Sequence, residues 1–402
     1  MTELERLVDR RNQTGRKFFD LLRSAGLVNQ SLPLSSAGFV RDGSRKISNF
    51  VDSDYLGLRK HPLVIRYVCR GAVKMGLSTG MPRLLGQHQL SKTLELALAR
   101  SVRQERAAIY SSTTHVALDL LPLLAGKRGV IFIDQWAYPI SQEGAQTAMR
   151  QGARLVKFPH NDPSALEQEL RAHRGIRDKV IVCDGVYSAG GEKAALREFS
   201  VLAEKYAAVI YLDDAHGLGI LGEGPRSHPP YGFGGGGTPL FEGIPAGNLV
   251  YVASLSKALG VPLAFAAGSA TFIEFLNRVS KSFIHSSQPA LPIVAAAIGA
   301  LRVNETKGDQ RRARLAQLVE QFIRGFERMG IQIAANGTFP IQSLYFQSSK
   351  DALKAALRLR KNGIWPLLQI SPMDFPGGGA LRFVITAKHS EKEIERIYEA
   401  IC

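Results

Sequence analysis

Cysteine is nearly absent from this sequence: 402 residues contain three, Cys69, Cys183 and Cys402. They lie far apart with no zinc or redox spacing, which excludes a disulfide scaffold and a cysteine metal centre and fits a reducing compartment. Long apolar runs are missing too. The longest, residues 289–301, falls well short of the roughly 20 residues that a bilayer-crossing helix needs. The opening MTELERLVDRRNQTGRKFFDLLRSAG lacks an apolar signal-peptide core and reads as a charged amphipathic helix. Internal repeats are lacking. Together these absences set the expectation of a soluble, cytoplasmic protein. Acidic residues are the last deficit: 35 against 51 lysines and arginines, a net charge of +16. Such an excess fits nucleic acid, an acidic membrane surface or an anionic substrate, and charge by itself does not choose.

What is present is a globular composition, 45% hydrophobic and 21% charged, enough for a sizeable core in one or two domains. Short apolar runs, mostly β-branched or aromatic, alternate with helical patterns through the middle of the chain. AAIYSS (107–112), VIFID (130–134), VIVCDG (180–185), AVIYLDD (208–214), NLVYVASL (248–255) and LAFAAGS (263–269) read as strands. PSALEQELRAHRG and LREFSVLAEKYA read as helices between them. This order predicts an α/β fold with a mostly parallel sheet covered by helices on both faces. In such sheets ligands sit beyond the carboxyl ends of the strands, so residues just after each strand are the candidates for chemistry.

After about residue 290 the pattern becomes α+β. A long helix leads into strands IQIAA and PIQSLYF, then a helix DALKAALRLRKNG, a strand ALRFVIT and a closing helix SEKEIERIYEAI. The expected division is an N-terminal helix and arm (1–50), a large domain (51–290) and a small α+β domain (291–402). SHPPYGFGGGGTPLFEG (227–243) reads as a surface loop.

Two strand ends carry the strongest signals. AVIYLDDAHGLGILGEG delivers Asp213, Asp214 and His216 into a turn. Gly217, Gly219 and Gly222 satisfy the dinucleotide pattern G-x-G-x-x-G, but the two carboxylates just before them would repel a pyrophosphate. VYVASLSKALG places Lys257 after a strand, among Ser254, Ser256 and Ala258. Lysine ordinarily occupies a solvated face. The alternative is an amine in a partly desolvated site, able to form a Schiff base with a carbonyl. A strand-end Asp about forty residues before a strand-end Ser-x-x-Lys is the pair that a pyridoxal phosphate enzyme needs. The carboxylate keeps the pyridine nitrogen protonated, making the ring an electron sink, and the lysine carries the cofactor.

In DGVYSAGGEKAALREFSVLAEKYAAVIYLDDAHGLGILGEG, ASLSKALG and FIHSSQPALPIVAAAIGAL the chain resembles the α-oxoamine synthases. These pyridoxal phosphate enzymes join an amino acid to an acyl thioester with loss of carbon dioxide. The likeness runs from SDYLGLRKHPLV (53–64) to ALRFVITAKHS (380–390). It implies a fold type I transferase with a mostly parallel, seven-stranded-type central sheet and a smaller C-terminal α+β domain. It also implies a homodimer with shared active sites. Lys257 would be the Schiff-base lysine and the proton shuttle at Cα, Asp213 would bond the pyridine nitrogen, and His216 the cofactor's phenolic oxygen, with Ser188 nearby. Asp214 is left as a supporting or capping residue. Thr113 and Thr114 would open a helix that grips phosphate, since helix N-termini favour anions. Ser254 would add a hydroxyl, and Ser286 and Ser287 would reach the cofactor phosphate of the partner subunit. Arg382 would clamp the amino-acid carboxylate, a bidentate task suited to guanidinium.

Four positions depart from the family pattern. Tyr138 stands where the family has a histidine stacked on the cofactor; a tyrosine can stack but supplies no imidazole. Ser53 replaces an asparagine that helps place the substrate. TGMPRLLG is bulkier and shorter than the family's G-[ST]-G-S-R, and of its R-x-R only Arg382 remains, the first position being Ala380. All four cluster at substrate contacts while the cofactor-holding residues survive. That distribution implies a working enzyme with an altered substrate, a specialised member and not the housekeeping biotin or glycine-cleavage type.

The expected activity is a decarboxylative Claisen-type condensation of an α-amino acid with an acyl thioester, giving an α-amino ketone. Coenzyme A or an acyl carrier protein would deliver the acyl group, and no metal is expected. A different pyridoxal phosphate reaction on an amino acid (aldol, transamination or side-chain replacement) is the second reading. A non-catalytic basic binding protein is the third, and no aromatic-interleaved basic patch supports it. The basic clusters at 10–17, 311–314 and 358–361 read as solvated helix faces, or as a field that steers an acidic thioester donor.

Overall fold

The computed structural model describes residues 2–11, 16–28, 39–42, 45–331, 333, 337–370 and 378–401. They fall into two units. One gathers the ends of the chain, Met1–Asp52, Glu320–Ala335 and Ile341–Cys402; the other is Ser53–Val319 with Asn336–Pro340. The arm at 1–50 is thus grouped with the C-terminal residues. Where one amphipathic helix is expected at the N-terminus there are two, α1 (Glu3–Arg11) and α2 (Arg16–Ser24). A hairpin of β1 (Phe39–Asp42) and β2 (Arg45–Asn49) follows.

The larger unit continues with α3 (Pro62–Met75), α4 (Gln89–Ser101), β3 (Arg106–Tyr110), α5 (Thr113–Ala125), β4 (Val130–Asp134) and α6 (Pro139–Arg150). Next come β5 (Arg154–Phe158), α7 (Pro163–Ala172), β6 (Lys179–Asp184), α8 (Leu196–Lys205) and β7 (Val209–Asp213). After a long loop follow α9 (Thr238–Glu242), β8 (Leu249–Ser254), β9 (Ala264–Gly268), α10 (Ala270–Val279) and α11 (Lys281–His285). The long helix α12 (Leu291–Arg328) begins in this unit and ends in the other.

Seven strands form one sheet in the order β3-β9-β8-β7-β6-β4-β5, parallel except that β9 runs against both of its neighbours. β4 and β6 are buried along their whole length, because helices cover both faces of the sheet. Side chains alternate between the faces. Ile131, Ile133, Val180 and Val182 pack with Val116, Leu120 and Leu121 of α5 and Ala145 and Ala148 of α6. Phe132 points the other way, edge-on to His173 at the end of α7, and Phe158 meets Phe199 of α8.

Two differences from the sequence reading have physical causes. The edge strand β5, RLVKF, was not anticipated: it is only partly buried, and Arg154 and Lys157 break its apolar run. Charge on an edge strand discourages pairing with other chains. The glycine-rich segment 227–243 is only partly a surface loop. Tyr231 and Thr238 are buried, and Thr238 starts the short helix α9 by giving its amide and hydroxyl to the buried Asp214.

The unit of chain ends carries β10 (Ile341–Phe346), α13 (Ser349–Lys361), β11 (Ile364–Trp365), β12 (Leu367–Gln369), β13 (Gly379–Val384) and α14 (Glu391–Ile401). They make two three-stranded sheets, β1-β2-β11 and β10-β13-β12. Phe322, on the last turns of α12, packs against Phe383, and Phe50 stacks on His389 at 4.2 Å. The expected strand IQIAA falls largely outside the described residues. Among the described residues no helix is long and apolar enough to cross a membrane.

Candidate active site

The register of the sheet assembles the site. At the carboxyl ends of two parallel neighbours, Asp184 of β6 pairs directly with Asp213 of β7. Further along the same edge, Ser254 of β8 lies opposite Ala264 of β9, which lies opposite Tyr110 of β3. The segments leaving these strand ends, and that leaving the neighbouring β4, carry Thr113 and Thr114 at the start of α5, Tyr138, Ser188, His216 and Lys257. One long-range property, strand order, thus brings together residues up to 144 positions apart in the sequence.

Electrostatics ties Lys257 to the two acids. Burial pushes the Asp213 carboxyl up from its ordinary range, while the Lys257 ammonium and the Ala215 amide, 3.1 Å away, pull it back. Asp184 is raised well above its ordinary value by burial and by the neighbouring Asp213 charge; the Tyr138 amide, at 3.1 Å, and Lys257 oppose the rise. The Tyr138 ring, 38% exposed, has its centroid 5.8 Å from Lys257 Nζ. Lys257 is therefore a partly buried amine between two strand-end carboxyls and an aromatic ring.

Behind Asp213, three elements hold the turn. His216 is buried, and its Nδ1 lies 2.7 Å from the hydroxyl of the buried Tyr55. Asp214 accepts the Thr238 amide at 2.8 Å, the Thr238 hydroxyl at 2.6 Å and the Tyr251 hydroxyl at 2.9 Å. Its carboxyl fills a space bounded by Gly185, Gly217 and Gly237, and a Cβ on any of the three would overlap it. Asp214 thus supports the turn and starts α9.

The other expected residues are placed as follows. Thr113 and Thr114 open α5, whose cap residue Ser112 turns its hydroxyl to His115 and makes no side-chain cap bond. Ser254 Oγ contacts Ser256 Oγ at 3.0 Å, beside Lys257. Ser188 is half-buried in the turn after β6. Ser286 and Ser287 line a cavity of about 430 Å³ with Ser78, Thr79, Met81 and Pro82, and neither Lys257 nor Asp213 belongs to its lining. Ser53 opens the larger unit and is half-buried, whereas Arg382 lies on β13 in the other, opposite Ser343 and Leu367. Beside Lys257 and His216, sequence reasoning missed Asp184 and Tyr55. Asp184 had a usable signal, an acid that ends a buried strand as Asp213 does.

These donors fit pyridoxal phosphate. Two buried carboxyls share one ammonium, so the site can take a further cationic N–H at Asp213. The first turn of α5 offers amides whose cap side chain is engaged elsewhere, suited to a phosphate. Tyr138 provides a flat ring near the amine that would bear the cofactor.

Comparison with known proteins agrees. The family model for aminotransferase class I and II matches residues 45–401. The chain is 33% identical to 8-amino-7-oxononanoate synthase of Nitrosococcus oceani, over 89% of this chain and 91% of that one. It is 34% identical to a putative 8-amino-7-oxononanoate synthase of Desulforudis audaxviator, over 94% and 95%. Among solved structures, Sphingomonas wittichii serine palmitoyltransferase shares the fold, with a TM-score of 0.88 at 24% identity over 98% of this chain and 97% of that one. A serine palmitoyltransferase solved with pyridoxal phosphate gives a TM-score of 0.87 at 22% identity over 98% and 97%. The chain belongs to the aminotransferase class I and II family and, within it, to the α-oxoamine synthases.

Proposed function

We propose that the protein condenses an α-amino acid with an acyl thioester, releasing carbon dioxide and a thiol and giving an α-amino ketone, with pyridoxal phosphate as cofactor. The observation that carries this reading is the placement of Lys257 beside Asp213 at the strand ends, in a chain whose relatives are named 8-amino-7-oxononanoate synthases.

When bound, the cofactor supplies an electron-withdrawing ring that acidifies the substrate's Cα–H bond. Lys257 takes that proton and returns it at the end. Asp213 would accept the ring N–H, and the Lys257 ammonium already draws it toward its charged form. His216, steadied by Tyr55, donates toward the phenolic oxygen. Tyr138 presents its ring 5.8 Å from the amine, where it would stack on the cofactor. The first turn of α5, at Thr113 and Thr114, would hold the phosphate, and Ser254 and Ser188 are assigned to the phosphate and the ring by their match to the family motifs. Arg382 is assigned the substrate carboxylate by its match to the family motif, and Ser53 a place near the amino acid.

The functional unit on this reading is a cytoplasmic homodimer in which Ser286 and Ser287 serve the partner's phosphate. The four departures at substrate contacts support an amino acid or acyl chain different from the housekeeping pair. The test is a spectral screen of amino acids, with and without acyl thioesters, coupled to thiol detection. Thiol release that requires a particular amino acid supports the condensation. An amino-acid reaction without thiol release would favour transamination or aldol chemistry. Alanine with pimeloyl thioester as the best pair would overturn the altered-substrate assignment.

A further inference from the structure

Two loops of the site are joined by one imidazole that the proposed chemistry does not use. The loop after β4 carries Trp136 and Tyr138; the loop after β6 carries Tyr187, Ser188 and Glu192. His160, just beyond β5, lies between them. Its Nδ1 is 2.9 Å from Asp134 Oδ1 and its Nε2 is 3.1 Å from Glu192 Oε2. A carboxylate at each ring nitrogen requires the ring to donate from both, which only the imidazolium does. Trp136 stacks on the ring at 4.0 Å and Tyr187 meets it edge-on at 4.4 Å.

Asp134 is the hub of this arrangement. It is fully buried and also accepts the Trp136 amide at 2.7 Å, the Asn161 amide at 2.8 Å and the Tyr187 hydroxyl at 2.8 Å. Asn161 reaches on to Glu192 at 2.7 Å. We propose that His160 is a positioning residue whose doubly bonded imidazolium clasps the Tyr138-bearing loop to the Ser188-bearing loop, and that losing its proton loosens the clasp. The proposal takes the Lys257 site as the one whose walls are being positioned, and so rests on the function proposed above.

The groups facing the ring are Asp134 from β4, Glu192 and Tyr187 from the loop after β6, and Trp136; Cys183 and Asp184 on β6 lie within the field of Asp134. Burial works against the charged ring, but the hydrogen bonds to Asp134 and Glu192 outweigh it and lift the imidazole to about 9. The clasp is therefore closed at neutral pH and opens in alkali.

The test reads Trp136 directly. In a Trp365→Phe background the remaining indole is Trp136, and a stacked imidazolium quenches it. Emission of the cofactor-free protein is expected to rise with a midpoint at about pH 9. Glu192→Gln, which keeps an acceptor and removes one charge, is expected to lower that midpoint by about one unit. His160→Gln should abolish the titration and weaken pyridoxal phosphate binding about tenfold at neutral pH. Emission that stays flat into strong alkali, a midpoint unmoved by Glu192→Gln, or unchanged cofactor affinity in His160→Gln would each overturn the proposal. The fluorescence arm uses neither cofactor nor substrate, so it stands or falls apart from the condensation. Glu192→Gln at a half-exposed residue carries the test should His160→Gln fail to fold.

Discussion

Asp184 and Asp213 end adjacent parallel strands in direct register, so two buried carboxyls stand side by side next to Lys257. Burial and mutual repulsion raise Asp184, and burial raises Asp213. One ammonium serves both. Such an arrangement costs stability in the bare protein and becomes favourable only when a further cation arrives.

Asp213→Asn removes a buried charge from a like-charged pair, so the cofactor-free protein should melt no lower than wild type. Activity with cofactor should fall by about 10²-fold or more, because the carboxylate that would keep the ring nitrogen protonated is gone. Differential scanning calorimetry beside a thiol-release assay checks both. A large drop in melting temperature would show that Asp213 is chiefly a structural residue.

Lys257→Ala should remove the visible absorption of the lysine-linked cofactor and reduce turnover by at least about 10²-fold, within the range of lost proton-transfer catalysis. The loss of its ammonium also lets the Asp213 and Asp184 carboxyls rise further, since Lys257 opposes the rise of both. Absorption spectra of the reconstituted variant decide the assignment. A retained band would place the cofactor on another amine.

How much of this was legible beforehand depends on the range of the interaction. VIFID, VIVCDG and AVIYLDD are apolar over whole strands, because both faces are covered, and could be read from local pattern alone. RLVKF could not, because an edge strand mixes charge into its pattern. Strand order is a long-range property, so nothing local announces that Asp184 ends beside Asp213. The contact of Tyr55 with His216 spans 161 positions and was hidden for the same reason. Lys257 and Asp213 stand out locally because each sits at or just past the end of its own strand. The clasp residue His160 was missed because its two carboxylate partners arrive from separate loops.

Tyr55→Phe keeps the ring and removes the hydroxyl that meets His216 Nδ1 at 2.7 Å. Both residues are buried, so the lost bond should cost about 1–3 kcal/mol of stability. With its orientation loosened, His216 should also hold the cofactor less firmly. Urea denaturation and a pyridoxal phosphate titration are the measurements. Wild-type values in both would reduce the contact to incidental packing.

Stability depends on pH through Asp214. Burial lifts the Asp214 carboxyl from 3.8 to about 7, against the pull of the Thr238 hydroxyl and amide and the Tyr251 hydroxyl. The Asp213 charge adds to the rise. The folded protein thus binds this proton more tightly than the unfolded chain. Stability from the group is fully present below 3.8, falls as pH rises, and is gone once pH passes about 7. Asp214→Asn cannot titrate, so the unfolding free energy of wild type minus that of the variant should fall over that window and then level off. At low pH the protonated acid presents one carbonyl acceptor and one donating O–H, as Asn presents one carbonyl and one NH2 group, so the two proteins should differ least there. Denaturation curves of both proteins at closely spaced pH values give the difference directly. A difference that is flat from 3.8 to 7 would mean that Asp214 keeps an ordinary carboxylate titration, with its three donors offsetting burial in full.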